Sequence, residues 1–406
     1  MKLHFKSPLF KTIVAAPHRL GFLAGAALLL MSFLLWTLEM SSRSFSIDLS
    51  PSMPALFWHG SVMVYGFFPL FMLGFIYTAG PRWLNVASPA LRQYAPVMLG
   101  YAAGTVLCLA GRWGATWMLL GVALQGLAWS RATQIWWLAI ARSQVGDKTH
   151  AQAIGWAFVL GLAGLLAQLV WLLFGNIAAW QLAVNLGIWG LLLPVFLSVS
   201  HRMIPFFSAN VLQPYTAWRP AWLLYTLVGL SMLRPVFEAM GVNTLPVDLP
   251  LAAILLYTSW RWQLWHSFKV KLLAMLHAAF AWAGVALALQ SISDLLQLFQ
   301  LSGHAGLGFA PLHALTLGFF CTMLLGFVTR VTLGHSGRPL VAAGIAWTAY
   351  WAMHGVALAR VLGELIPAWQ MALYLIAAVL ALLALLLWGR VYMPMYWQAR
   401  VDGQQG

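Results

Sequence analysis

The sequence predicts an all-α fold, a polytopic membrane helical bundle of about twelve transmembrane helices. Three observations carry that reading. Of 406 residues, 62% are hydrophobic and only 7% charged, against about 25% charged in a soluble globular domain. Apolar runs of about 20 residues, the length that crosses a bilayer as a helix, follow one another with short connections. Basic residues fall in alternate connections, as the positive-inside rule requires of a multi-pass chain. At about 33 residues per crossing and connection the chain accommodates around twelve crossings, with no room for a soluble domain.

Taken in order, the first apolar run is 20–39. Lys2, Lys6, Lys11 and Arg19 precede Leu20 to Leu38 and imitate a secretory signal. The run exceeds the usual 7–15 residues and no small-x-small site follows it, so it reads as a retained first helix. Further runs lie at 56–79, 94–111, 115–140, 152–174, 180–200, 221–240, 248–265, 272–291, 309–329, 339–361 and 366–388. Turn formers punctuate them: Gly80-Pro81, Gly111-Arg112, Gly146-Asp147, Trp218-Arg219-Pro220, Gly241 to Pro246 and Gly337-Arg338-Pro339. The last run is nearly pure Leu and Ala and reads as scaffold. Residues 1–19 are expected as a cytoplasmic N-terminal segment, 20–388 as the membrane domain, and 389–406 as a cytoplasmic tail.

Charge placement tests this map independently. With the N-terminus inside, seventeen of the 22 Lys and Arg fall on the cytoplasmic side. Arg43, Arg112, Arg234 and Arg360 fall outside, and Arg131 lies within a helix. Both termini are therefore expected in the cytoplasm. The formal charge of +14 reflects membrane orientation; no soluble basic face exists for nucleic acid. The expected partner surface is the lipid bilayer. Trp58, Trp83, Trp136, Trp137, Trp265 and Trp397 stand near helix ends, as in an interfacial aromatic belt. Two cysteines, Cys108 and Cys321, build no disulfide scaffold, and no Cys-x-x-Cys-His is present to attach a c-type haem. Cys321 follows His313 by eight residues, the same face of an α-helix.

Eleven histidines are the conspicuous polar groups, because every carboxylate sits near a predicted helix end or in a connection. Neutral imidazole ligates metals and haem iron. The map sorts the histidines into two layers. His59, His313 and, deeper, His354 lie toward the outside, with His304 in a connection. His201, His266, His277 and His335 lie toward the inside, and His4, His18 and His150 in flanks or loops. A lone membrane histidine most often bonds a carbonyl or hydroxyl of a neighbouring helix, so depth marks candidates only: His59, His277 and His313 first, then His201 and His354. Arg330, His335 and Arg338 place two guanidiniums beside an imidazole, a set suited to a carboxylate pair.

One segment carries more than composition. Leu312-His313-Ala314-Leu315-Thr316, followed by Thr329-Arg330-Val331-Thr332-Leu333-Gly334-His335-Ser336-Gly337-Arg338-Pro339, resembles the signature of the NnrS family, twelve-helix membrane proteins of the bacterial nitric-oxide response. Trp58-His59 with Met63, Gly66-Phe67, Gly74-Phe75, Thr78-Ala79 and Trp83 resembles the family's Trp-His helix. Arg202-Met203-Ile204-Pro205-Phe206-Phe207 and Leu276-His277-Ala278 resemble two further family stretches. The resemblance implies haem and copper as cofactors, nitric oxide or another small ligand as partner, and the bacterial inner membrane as location. It implies His59, His277, His313 and His335 as haem or metal ligands or their supports, and Arg202, Arg330 and Arg338 as propionate or anchoring groups. Where the family reads Trp-His-x-His-Glu-Met, this chain has Ser61 and Val62 in place of the second His and the Glu. One metal centre is thus expected to be lost or rebuilt, with His201, which replaces a family Gly, as a compensating ligand.

Two functional classes follow. One is a haem- or metal-binding membrane protein of the nitrosative-stress response. The other is a membrane transporter or haem and metal handler without redox chemistry, for which Pro69, Pro194 and Pro205 would break helices. A terminal-oxidase-like enzyme would need adjacent His-His ligands, and the sequence has none.

Overall fold

The computed structural model describes residues 8–301 and 306–404. His4 and His304 lie outside the described residues. Each apolar run coincides with a long helix, and no strand occurs among the described residues. In chain order they are α1 (Pro17–Phe45), α2 (Ala55–Leu84), α3 (Leu91–Trp113), α4 (Ala115–Arg142), α5 (Thr149–Phe174), α6 (Ile177–Ala209), α7 (Ala221–Ala239), α8 (Leu245–Arg261), α9 (Lys271–Leu298), α10 (Ala310–His335), α11 (Gly344–Leu365) and α12 (Pro367–Tyr396). Eight of them, α1, α2, α3, α5, α6, α9, α10 and α12, are long and apolar enough to cross a membrane.

Neighbours in sequence are neighbours in space. The pairs α1–α2, α3–α4, α8–α9 and α11–α12 all pack, and α12 returns onto α1. One end of the bundle carries residues 17, 84, 142, 335 and 396, and we call it the terminal end; the other is the far end. Small residues set the closest crossing. A methyl on Gly21 would come within 2.8 Å of the Gly74 Cα, so α1 and α2 meet backbone to backbone.

Three helices are irregular. A break at Gly66-Phe67 interrupts α2. Leu186–Leu192 in α6 and Ala314–Cys321 in α10 are π-helical, a form concentrated at functional sites. Pro69 follows the first break and Pro194 the first π stretch, whereas Pro205 lies inside a continuous helix. The π stretch also removes the α-helical i, i+8 register that would set Cys321 beneath His313.

One expectation is corrected. Trp58 and Trp136 are fully buried, donating to the Cys108 carbonyl at 3.1 Å and the Ala151 carbonyl at 3.0 Å. They are core residues, and Trp265 alone of the six is fully exposed in the manner of a belt. The carboxylates keep their expected places near helix ends, and several are buried there. Glu39, Asp248 and Asp294 are buried because each finds polar partners. Glu39 pairs with Arg112 and Arg43, and Asp248 takes the Arg234 Nε at 3.0 Å. Asp294 accepts from Thr244 and Gln290.

Candidate metal and small-ligand site

The far end carries both His59 and His313. Both stand within the first two turns of a helix descending from that end, α2 and α10. The His59 ring lies flat against Trp36, centroids 3.6 Å apart, and its Nδ1 is buried without a partner. His313 Nδ1 lies 2.9 Å from the Phe309 carbonyl. A carbonyl only accepts, so Nδ1 carries the proton and Nε2 keeps the lone pair. A second-shell carbonyl holding one ring nitrogen while the other stays free is how metal-ligating histidines are oriented. Arg360 is tied to Glu364 at 2.7 Å and Arg43 to Glu39 at 2.7 Å.

The terminal end holds a different set. His335 and His18 stack, centroids 4.3 Å apart, within the field of Arg19, Arg82 and Arg400. His150 Nε2 and His201 Nδ1 are 3.0 Å apart, and His201 Nε2 donates to the Pro220 carbonyl at 3.2 Å. That second bond fixes the pair: His201 Nδ1 accepts and His150 Nε2 donates. Both nitrogens of His201 are therefore engaged, and α6 carries it near the terminal end, away from Ser61 near the far end. Asp147, in the connection before α5, is held below the usual carboxylate range by the Thr149 backbone N–H at 2.9 Å.

His277 donates from Nε2 to Ser208 Oγ at 2.9 Å, because the Ser208 hydroxyl hydrogen goes to the Ile204 carbonyl. His354 accepts at Nδ1 from Trp282 Nε1 at 2.8 Å, so its proton sits on the buried, unpartnered Nε2. Neutral His354 then offers a metal no lone pair. Arg330 lies over the Phe207 ring at 4.0 Å and Arg202 over Trp83 at 4.8 Å. Arg338 bonds Gln398 at 3.0 Å. From His313 to Arg330 is seventeen residues of one helix, roughly 25 Å along its axis. One haem ligated at the far end does not reach Arg330 or Arg338.

The structure thus sets His59 and His313 toward the far end, and His277 and His335 toward the terminal end. Among the described residues no three of His, Cys, Asp and Glu converge as a metal group. Sequence reasoning passed over His18 and His150, both buried. Their signal was present in Pro17-His18-Arg19: proline is favoured in a helix's first turn, which sets His18 inside α1 and not before it.

These features define a helical membrane protein with histidines near both ends of its bundle. Residues 12–400 match the family described as NnrS protein, and the chain belongs to that family. No curated protein matches the chain.

Proposed function

We propose that the chain is a haem- or metal-binding membrane protein of the nitric-oxide response, with His59 and His313 holding the metal at the far end. The supporting observation is the free nitrogen on each of two far-end rings, one fixed by the Phe309 carbonyl and the other clamped by Trp36. Haem iron, when bound, supplies an axial position for nitric oxide. His313 would offer Nε2 as ligand. Copper(I), which accepts imidazole, is the other metal this donor set suits. A copper centre built on the family's second-helix pair does not fit here. Val62 is buried at 1% exposure in apolar surroundings, and the Ser61 hydroxyl is buried without a partner.

The location proposed is the bacterial inner membrane, with about twelve crossings and both termini cytoplasmic, from the bias of 17 basic residues against 4. Purified full-length protein, supplemented with haem or Cu(I), should show a Soret band or bound copper that nitric oxide perturbs. His313→Ala should lose either signal. A preparation that takes up neither cofactor overturns the reading.

A second reading, transport without redox chemistry, draws support from the break in α2 and the π stretches of α6 and α10, since discontinuous helices build transporter sites. Accumulation of a metal or haem in proteoliposomes, with no stable cofactor spectrum, would favour it.

A further inference from the structure

Between α1, α2, α6 and α10 lies a half-open pocket of about 60 Å³. A water-sized guest needs ~15 Å³ by the same measure, so the space holds a guest of a few heavy atoms and falls far short of a porphyrin. Its walls are Phe22, Phe71, Phe75, Val199, Phe327 and their apolar neighbours, with Ser200 the single polar lining residue. Buried water requires two to four polar partners, and cavities without them stay dry and take apolar guests such as xenon.

The rings that frame the space are locked. Phe71 lies 2.8 Å from where a methyl on Gly25 would sit, and Phe22 3.0 Å from one on Gly74. The glycines admit the rings, and the rings then hold one another: Phe22 to Phe71 at 5.7 Å, and Phe75 edge-on to Phe327 at 4.9 Å. Collapse onto the void would force these side chains out of their rotamers.

The cavity also has a position. Phe22 meets His18, the partner of His335, edge-on at 6.2 Å. On the opposite side Phe196, another lining residue, meets Phe319 and Phe320 of the π stretch that follows His313. A guest here sits between the two imidazole layers. We propose that this cavity is a binding site for a small, neutral, apolar molecule of diatomic size, which is nitric oxide if the reading above holds.

Xenon is the probe, because it needs no cofactor. A xenon-pressurised crystal of the full chain, or xenon NMR of it in nanodiscs, should show one saturable site framed by Phe22, Phe71 and Phe327. Val199→Phe, and separately Val328→Met, should fill the space and weaken xenon binding at least tenfold with unchanged helicity. Xenon absent from the cavity, undiminished binding in a folded filling variant, or a lipid acyl chain occupying the space would each overturn the proposal. A missing Soret band in the same preparation would count against the cofactor reading and leave the xenon result standing.

Discussion

At the scale of single residues, hydrogen-bond partners sort the histidines by what each has left to offer. His313 and His354 were picked for similar reasons of depth, yet Phe309 leaves His313 a lone pair and Trp282 leaves His354 a proton. No sequence pattern distinguishes them, since both partners come from local geometry or a distant helix. The buried ions obey the same accounting. Arg112 and Glu39 are both buried, so Arg112→Ala should cost about 3–5 kcal/mol, the toll of stranding a buried charge. Arg43→Ala, on the exposed partner, should cost at most about 1 kcal/mol. Thermal unfolding of both variants in detergent checks the contrast; equal losses would mean that Glu39 is hydrated.

Elements bring the next set of constraints. Gly21 and Gly74 permit contact that no side chain would allow, so Gly21→Val should force α1 from α2 and destabilise by about 1–3 kcal/mol, the usual cost of overpacking. The π stretch of α10 matters in another way. Its wider turns carry His313 to a register that a regular helix would not reach. Deleting Leu317 should restore an α-helical path, drawing His313 back by about 1.5 Å and turning it by about 100°. Helicity by circular dichroism should persist while the haem or copper signal falls with that of His313→Ala. Retention of the signal would show that His59 alone suffices. Helix extents were legible in the sequence because apolar length is itself the cause of a membrane helix. The π stretches were not, since they answer to packing of α6 against α5 and α7 and of α10 against α9 and α11.

Across the whole molecule, the C-terminal residues strap the terminal end. The Arg19 guanidinium bonds the carbonyls of Tyr396 at 3.2 Å and Gln398 at 2.8 Å, and Val401 N–H bonds Ser336 at 3.1 Å. Asp402 lies against Gly337, and its bond to Arg400 holds its carboxyl down at about 2. An unfolded aspartate titrates near ~3.9. The depressed value means that the folded strap prefers the carboxylate, so its contribution is present above that pH and is lost as pH falls through about 2. Hydrogen exchange at the Val401 amide should therefore accelerate, after correction for intrinsic rates, between pH 4 and 2. In Asp402→Asn that step should vanish. The orientation proposed from basic residues is checked at this scale too: reporter fusions at the two termini should both register the cytoplasm, and opposite readings would require an odd number of crossings.

Composition and apolar run length were enough to specify helices, their order and their approximate ends, because burying some 20 apolar residues in lipid leaves the backbone few other solutions. They also marked His59 and His313 as polar groups toward the same side of the bundle. Which rings meet could not be read along the chain. His18 meets His335 across 317 positions of the chain (335 − 18), and His150 meets His201 from a different helix. Those encounters, the proton positions they impose and the void among four phenylalanine-lined helices are products of side-chain packing between distant segments.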